Sequence, residues 1–160
     1  MDGKRLIVCY SLEGNSMYAA NQVSKLTGID IERIVPESEP PKKGIMKFLK
    51  GGGSVIKKDK IKISEINADI ESCSEIIIAC PVWASSFPPA IRTFLSSYDL
   101  KGKKVHMIGC SSSGIAEKMF RKAEGFAGIR LSGKLSLKDP LKHKDEADAA
   151  IRVFSEKYLI

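Results

Sequence analysis

The sequence has no apolar run long enough to cross a membrane. The longest such run, residues 76–84, contains nine residues, whereas a membrane-spanning helix needs about 20. Near the amino end, residues 6–10 are apolar, but so short a run cannot form the core of a secretory signal peptide. We therefore exclude an integral membrane protein and expect a cytoplasmic one.

Cysteine and histidine are also scarce, and neither is spaced for a metal site. The cysteines are Cys9, Cys73, Cys80 and Cys110, and the histidines are His106 and His143. No CxxC pair and no pair of neighbouring histidines is present. We expect the thiols to be reduced and to pack as small core side chains, and we expect no metal ion.

The net charge of +7 arises in one segment. Residues 41–62 contain eight lysines and one acid, Asp59. The lysines are Lys42, Lys43, Lys47, Lys50, Lys57, Lys58, Lys60 and Lys62. We interpret residues 36–63 as an insertion, in which 43–50 form a short amphipathic helix. The segment is either solvated surface or a patch that attracts anions or an acidic partner. No nucleic-acid-binding motif is present.

Apolar runs and helical periods alternate along the chain, which is typical of a parallel α/β fold. Strands are predicted at 6–10, 29–35, 75–79, 104–110 and 129–137, and helices at 16–26, 89–98, 116–125 and 145–159. The pattern indicates one domain, residues 1–160, with helices on both faces of a parallel sheet. In the last helix we expect Ala149, Val153, Phe154 and Tyr158 to face the core.

Ligands of such sheets bind at the carboxyl ends of the strands, so three loops are candidates for a site. The first loop, residues 11–16, offers hydroxyls, an amide and a glycine at the start of a helix, without Lys or Arg. It is either a phosphate site built from neutral donors or an ordinary helix start capped by Ser or Asn.

The second and third loops add an aromatic side chain and hydroxyls. Residues 80–89 contain Trp83, the only tryptophan, among three prolines. A rigid aromatic there is either a stacking platform for a flat heterocycle or part of the core. Residues 110–114 supply three serines and a glycine. Together the loops suit a mononucleotide with a large ring.

Other chemistries of similar α/β folds lack their residues here. A small tyrosine phosphatase needs an Arg six residues after its catalytic Cys. In this chain the residue six positions after Cys9 is Asn15. A response regulator needs an Asp after the third strand, where this chain has Cys80 and Pro81. Neither the P-loop pattern nor the GxGxxG fingerprint is present. We identify no catalytic residue, so in an enzyme the cofactor would supply the chemistry.

The chain resembles the flavodoxin-like FMN-binding family, in its small flavodoxin branch. The phosphate loop of that family reads Ser or Thr, any residue, Ser or Thr, Gly, Asn or Thr, then Ser or Thr. Residues 11–16, SLEGNS, match this pattern except at Glu13. Residues 81–95, 101–104 and 139–141 also look like segments of this branch.

The resemblance implies a flavodoxin-like three-layer α/β fold, with a five-stranded parallel sheet of order 2-1-3-4-5. It also implies FMN as a noncovalent cofactor, held by three groups of residues. The phosphate would be bound by Ser11, Glu13, Gly14, Asn15 and Ser16. The ring would be lined by Pro81, Val82, Trp83, Ala84, Ser85 and Phe87, and its far edge by Ser111, Ser112, Ser113 and Gly114.

Three departures from the family bear on function. Glu13 places a carboxylate near the phosphate, the third loop has no aromatic, and the chain is basic where flavodoxins are acidic. We expect an electron carrier with an acidic redox partner protein. The alternative is an FMN-dependent reductase that takes hydride from NAD(P)H for a quinone or similar acceptor. A third alternative is a non-redox module that docks through the basic segment.

Overall fold

The computed structural model describes residues 3–38 and 61–160. The strands are β1 (Lys4–Cys9), β2 (Ile31–Arg33), β3 (Cys73–Pro81), β4 (Lys104–Ser111) and β5 (Gly133–Lys138). The helices in this part of the chain are α1 (Asn15–Thr27), α2 (Pro89–Ser97), α3 (Glu117–Ala127) and α4 (Lys144–Tyr158). Of the predicted insertion, residues 39–60 lie outside the described residues, and so do the helix expected at 43–50 and seven of the eight lysines. None of the described helices is long and apolar enough to span a bilayer.

The five strands form one parallel sheet of order β2-β1-β3-β4-β5, which confirms the predicted fold. The central strand β3 pairs with both β1 and β4, and Ile77 lies between Ile7 and His106. Residues 76–80 are at most 1% exposed. This run is apolar without alternation because helices cover both faces of the sheet.

Each face of the sheet packs against its own pair of helices. Ile76 and Ile78 join the core beneath α2 and α3, with Phe94 and Phe120. Ile77 faces the opposite way, into the core beneath α1 and α4, with Val23. The alternation of side chains along a strand divides the apolar run of β3 between the two cores.

Strands at the two sides of the sheet are shorter than predicted. β2 contains three residues, and β5 begins at Gly133 instead of residue 129. Before β5, the Leu131 amide donates to the Glu124 carboxylate over 2.9 Å, and the Ser132 amide donates to the Val105 carbonyl over 2.7 Å. These bonds draw the chain across the end of α3 before it joins the sheet.

The predicted inner face of α4 is partly wrong. Phe154 is buried as expected, but Val153 is 65% exposed and Ala149 is exposed. The buried face consists of Ala147, Ile151, Phe154 and Ser155. Ile151 and Phe154, three residues apart, set the phase of the helix, and that phase turns Val153 to solvent.

Polar residues at the amino ends of three strands bind one another. The Glu75 carboxylate accepts hydrogen bonds of 2.8 Å from Arg5 Nε and His106 Nε2. Arg5 also donates to the Leu159 carbonyl after α4. Burial lowers the pKa of the His106 imidazole, and the hydrogen bond with Glu75 opposes that shift. We call this edge of the sheet the amino edge.

Candidate functional site

A cleft in two parts lies at the opposite edge, the carboxyl edge, where the strands end. The inner hollow, of about 150 Å³, lies between the loop after β1, the ends of β3 and β4, and Asp139. The outer hollow, of about 630 Å³, lies between the loop after β3 and the start of α3. Both are lined by Val82, Ser111 and Ser112, so they form one cleft. Their combined size reaches the range of small-molecule sites, roughly 300–1,000 Å³.

The inner hollow is bordered by the uncapped start of α1. The residue that begins the helix is Gly14, whose φ of 100° lies in the left-handed region. Its N–H donates to Ser11 Oγ over 3.1 Å, and no side chain caps α1. Of the two alternatives for this loop, a helix start capped by a Ser or Asn side chain is therefore not the one observed. The first N–H groups of the helix are left for an anion or water.

The Ser16 hydroxyl is buried in the wall of the inner hollow. Ser16 is 1% exposed, and among the described residues its Oγ has no hydrogen-bond partner except the neighbouring Cys110 thiol. Burial raises the pKa of that thiol to about 12, although the approach of the serine hydroxyl lowers it. A buried hydroxyl left without a hydrogen-bond partner costs about 1–3 kcal/mol of stability, so this one is available to a ligand that enters the hollow.

A fourth segment, the loop between β5 and α4, closes the inner hollow. Asn15 Oδ1 accepts a hydrogen bond of 3.0 Å from the Leu141 amide. A side chain at Gly14 would place its Cβ 3.3 Å from Leu141 Cδ1. Asp139, at a φ of 34°, lines the hollow and donates its N–H to the Ser111 carbonyl over 3.0 Å. Sequence analysis missed Asp139, although it directly follows the last strand at the same edge.

Charge in the inner hollow is negative. Glu13 and Asp139 line it, and its described lining includes no lysine or arginine. Any phosphate bound here must therefore be held by neutral donors, namely backbone N–H groups and hydroxyls.

Trp83 lies between the two hollows on a tight loop. Its backbone and that of Ser86 exchange two hydrogen bonds, of 2.8 and 2.9 Å. The residues between them, Ala84 and Ser85, have left-handed φ values of 48° and 59°. The Trp83 ring meets Tyr10 edge-on at 5.7 Å, and it is half-buried while lining the inner hollow. Trp83 therefore packs against the core on one side and lines the cleft on the other.

Phe87 and the third loop are held by contacts of their own. Phe87 is 5% exposed and packs on Phe126 at 5.6 Å, outside the lining of either hollow. In the third loop the Ile115 amide donates to Ser111 Oγ and Ser113 Oγ, over 3.1 and 3.2 Å. Gly114 lies against Lys138 instead of the cleft.

Twelve of the fifteen residues expected from the sequence line the cleft, and the structure brings all three loops together. Gly14, Phe87 and Gly114 do not line it. The lining residues missed from the sequence are Leu12, Cys110, Ile115, Ala116, Glu117, Lys118, Met119, Arg121 and Asp139. Six of these nine lie in α3 or in the two residues before it, and a local sequence pattern does not predict the direction in which this helix crosses the cleft.

The cysteines are free and buried, as expected. Burial raises the pKa of Cys9 to about 12 and that of Cys80 well above the usual value. These thiols are therefore protonated at neutral pH and serve as core side chains. In residues 3–38 and 61–160 no group of three His, Cys, Asp or Glu side chains is placed to hold a metal ion.

Comparison with known proteins identifies the fold and the family of this chain. No curated protein matches the chain. A candidate flavoprotein from Bacteroides eggerthii DSM 20697 is 20% identical with a TM-score of 0.80, and the match covers 99% of each chain. A flavoprotein from Lactobacillus acidophilus NCFM, solved in complex with FMN, is 20% identical with a TM-score of 0.66, over 89% of this chain and 97% of that one.

A third structure, the two-electron reduced flavodoxin of Megasphaera elsdenii, is 20% identical with a TM-score of 0.53, over 93% of this chain and 99% of that one. At these identities the similarity shows the fold. The family model described as Flavodoxin matches residues 4–145. Since that match spans most of the sequence, the chain belongs to the flavodoxin family.

Proposed function

We propose that this protein binds FMN noncovalently in the carboxyl-edge cleft and carries electrons between other redox proteins. The observation that supports this best is the wall of the inner hollow, where the uncapped start of α1 meets the buried Ser16 hydroxyl. Backbone N–H donors at a helix start, together with a hydroxyl that has no strong partner, are groups that can bind a phosphate. When bound, FMN supplies the electron-transfer chemistry through its ring.

The residues of the cleft fit the parts of FMN in order. The backbone N–H groups of residues 13, 15 and 16 and the Ser16 hydroxyl would hold the phosphate, with Gly14 permitting the turn. Asp139 offers an acceptor beside them for hydroxyls of the ribityl chain. Trp83, at the boundary between the hollows, would face the flat ring, and Ser112 would lie at its polar edge.

An electron carrier fits the chain better than an enzyme, because the described lining of the cleft contains no histidine and its thiol, Cys110, is protonated at neutral pH. Buried thiols of raised pKa suit a reducing compartment, so we propose the cytoplasm as its location. The second candidate is an NAD(P)H-dependent FMN reductase. The open outer hollow, bordered by Lys118 and Arg121, favours it, since a dinucleotide carries phosphates.

The phosphate site is tested by titrating the apoprotein with FMN and, as the matched control, with riboflavin, following flavin fluorescence. We expect FMN to bind at least about 100-fold more tightly, because its phosphate accepts two or more hydrogen bonds of about 1.5 kcal/mol each. Ser16→Ala should narrow this difference. Equal affinity for the two flavins would contradict the proposed site.

Carrier and reductase are separated by steady-state oxidation of NADPH and NADH with a quinone acceptor. A carrier turns over only when a separate reductase is supplied. Turnover of the FMN-loaded protein alone would establish the reductase.

A further inference from the structure

The two faces of α3 differ sharply in composition. The inner face consists of Met119, Phe120 and Ala123, which are at most 3% exposed. The outer face carries Lys118, Arg121, Lys122, Gly125 and Phe126, all exposed. These positions follow the helical spacing i, i+3, i+4, i+7 and i+8, so they form one continuous strip. We call it the α3 strip.

The α3 strip begins at the mouth of the cleft. Lys118 and Arg121 line the outer hollow, together with Ser85 and Ser112. Ile115, just before the helix, is 66% exposed at the same hollow. A protein that covers the strip would therefore also cover the opening through which the cofactor site meets solvent.

The far end of the α3 strip is an aromatic cluster built around an arginine. Phe126 is 40% exposed, and the Arg92 guanidinium lies 4.6 Å from the centre of its ring. The same guanidinium lies 5.1 Å from the centre of the Phe87 ring. Arginine and exposed aromatics are the residue types that are enriched at protein interfaces and dominate their binding energy.

Nothing in the described fold requires the residue at position 125 of the strip to be glycine. A glycine inside a helix is less stable than alanine. Its φ is not left-handed, and a Cβ added there would meet nothing within 4 Å. Neither backbone conformation nor packing within the described residues requires it. A flat position on an exposed helix face does, however, allow the backbone of a partner to approach closely.

Charge on this face is positive. Of the acids on the same helix, Glu124 is bound to Lys134 and the Leu131 amide, and Glu117 stands at the outer hollow beside Lys118. Within α3 the three basic side chains Lys118, Arg121 and Lys122 therefore outnumber the two acidic ones, Glu117 and Glu124. Positive surfaces of this kind speed association with negatively charged proteins and select against basic ones.

We infer that the α3 strip is the docking surface for an acidic redox protein, seated beside the mouth of the cleft. The inference rests on the proposed electron-carrier function. It concerns residues other than the lysine-rich segment 41–62, for which sequence analysis left solvated surface and a docking patch as alternatives.

The test uses a plant-type [2Fe–2S] ferredoxin, a strongly acidic protein, as the probe. Reduced ferredoxin is mixed with the FMN-loaded protein in a stopped-flow instrument, and flavin bleaching is followed. We expect the double variant Lys118→Glu, Arg121→Glu to lower the second-order rate constant by about tenfold or more at low salt, and the difference to vanish near 0.5 M salt. The matched control, Lys25→Glu with Arg152→Glu on distant helices, should stay within about twofold.

Gly125→Ala distinguishes a docking surface from an ordinary solvated helix. Alanine should raise the melting temperature, because it favours the helix. If a partner approaches this position closely, the same variant lowers the rate constant with ferredoxin although the protein is more stable. A higher melting temperature with an unchanged rate constant would contradict the inference.

Failure of docking and failure of the proposed function give different results. A protein that binds no FMN gives no bleaching at all, and docking is then read from calorimetric titration with oxidised ferredoxin. Wild-type rates and affinities in either α3 strip variant, the Lys118 and Arg121 double variant or Gly125→Ala, would overturn the inference. It would also be overturned if only the variant with Lys42, Lys43, Lys47 and Lys50 changed to Gln lost binding.

Discussion

The amino and carboxyl edges of the sheet treat polar groups in opposite ways. At the amino edge, Glu75 binds both Arg5 and His106, and Lys103 donates to the Cys73 carbonyl. At the carboxyl edge of the same strands, α1 starts without a cap and Ser16 has no strong partner. The amino edge thus pairs these side chains within the chain, except that His106 Nδ1 has no partner among the described residues, while the carboxyl edge leaves the start of α1 and the Ser16 hydroxyl available.

This difference separates residues that stabilise the fold from residues that bind a ligand. Backbone conformation follows the same division. In the described part of the chain, the non-glycine residues with left-handed φ are Ala84, Ser85 and Asp139, and all three lie at the carboxyl edge. Strain of this kind costs about 1–3 kcal/mol per residue and persists where a site needs it. Changes at one edge should therefore alter stability, and changes at the other should alter binding.

The largest loss of binding is expected from Gly14→Val. The left-handed φ and the Leu141 contact at 3.3 Å will both resist a branched side chain. We expect FMN affinity to fall by roughly 100-fold or more, as the backbone donors move away from the phosphate. The domain should remain folded, with a loss of about 1–3 kcal/mol in the free energy of unfolding. Fluorescence titration and urea unfolding measure the two effects, and unaltered FMN affinity would contradict the site.

Glu75→Ala should have the reverse effect. It leaves the partly exposed Arg5 and the buried His106 without their acceptor. We expect a loss of about 2–3 kcal/mol in the free energy of unfolding, with FMN affinity unchanged. Glu71→Ala, at an exposed position nearby, is the control and should have little effect on either. A marked loss of FMN affinity in Glu75→Ala would break the division between the edges.

Trp83→Ala tests a residue that belongs to both the cleft and the core. We expect FMN to bind more weakly by about 1–3 kcal/mol, the range measured for stacking of bases on aromatic side chains. Stability should change less than affinity, since the ring is half-buried. Trp83→Phe keeps an aromatic face and should recover most of the affinity. If Trp83→Ala unfolds the protein, the residue is mainly part of the core.

The smallest effect is a pH dependence of stability that belongs to the amino edge. Burial lowers the pKa of His106 below its usual 6.5, so the unfolded chain takes up its proton first. Stability is therefore complete above about pH 6.5 and falls as the pH drops from there to the folded pKa. His106→Gln should flatten this part of the curve in urea unfolding from pH 7 to pH 5. An identical slope in the variant would show that other groups cause the dependence.

Strand and helix order follow from the sequence because the central strand is apolar on both faces. The run around Ile77 requires cover on both sides, and the helices between the strands supply it. The predicted bounds and faces of some elements are wrong where contacts between residues distant in sequence determine them. The phase of α4 depends on how Ile151 meets the sheet, and the late start of β5 depends on the bonds from Glu124 and Val105.

The sequence predicts which loops form the candidate site, but it does not predict the contacts that their side chains make with distant residues. Loop residues 11–16, 81–85 and 111–113 could be assigned from their place after strands, and they converge as expected. Asn15 lines the inner hollow as expected, but the hydrogen bond that its side-chain oxygen accepts from the Leu141 amide could not be predicted. Phe87 was expected at the ring, yet it packs on Phe126. Both partners lie far away in sequence, so only the folded chain reveals them.

The bond from Arg5 to the Leu159 carbonyl has a consequence for engineering. It brings the first strand and the residue after the last helix side by side, on the side of the molecule away from the cleft. A short peptide could join those positions, and new ends could be opened in an exposed turn such as that around Gly102. Circular permutants, or insertions of this domain into a host protein, should therefore keep the cofactor entrance open.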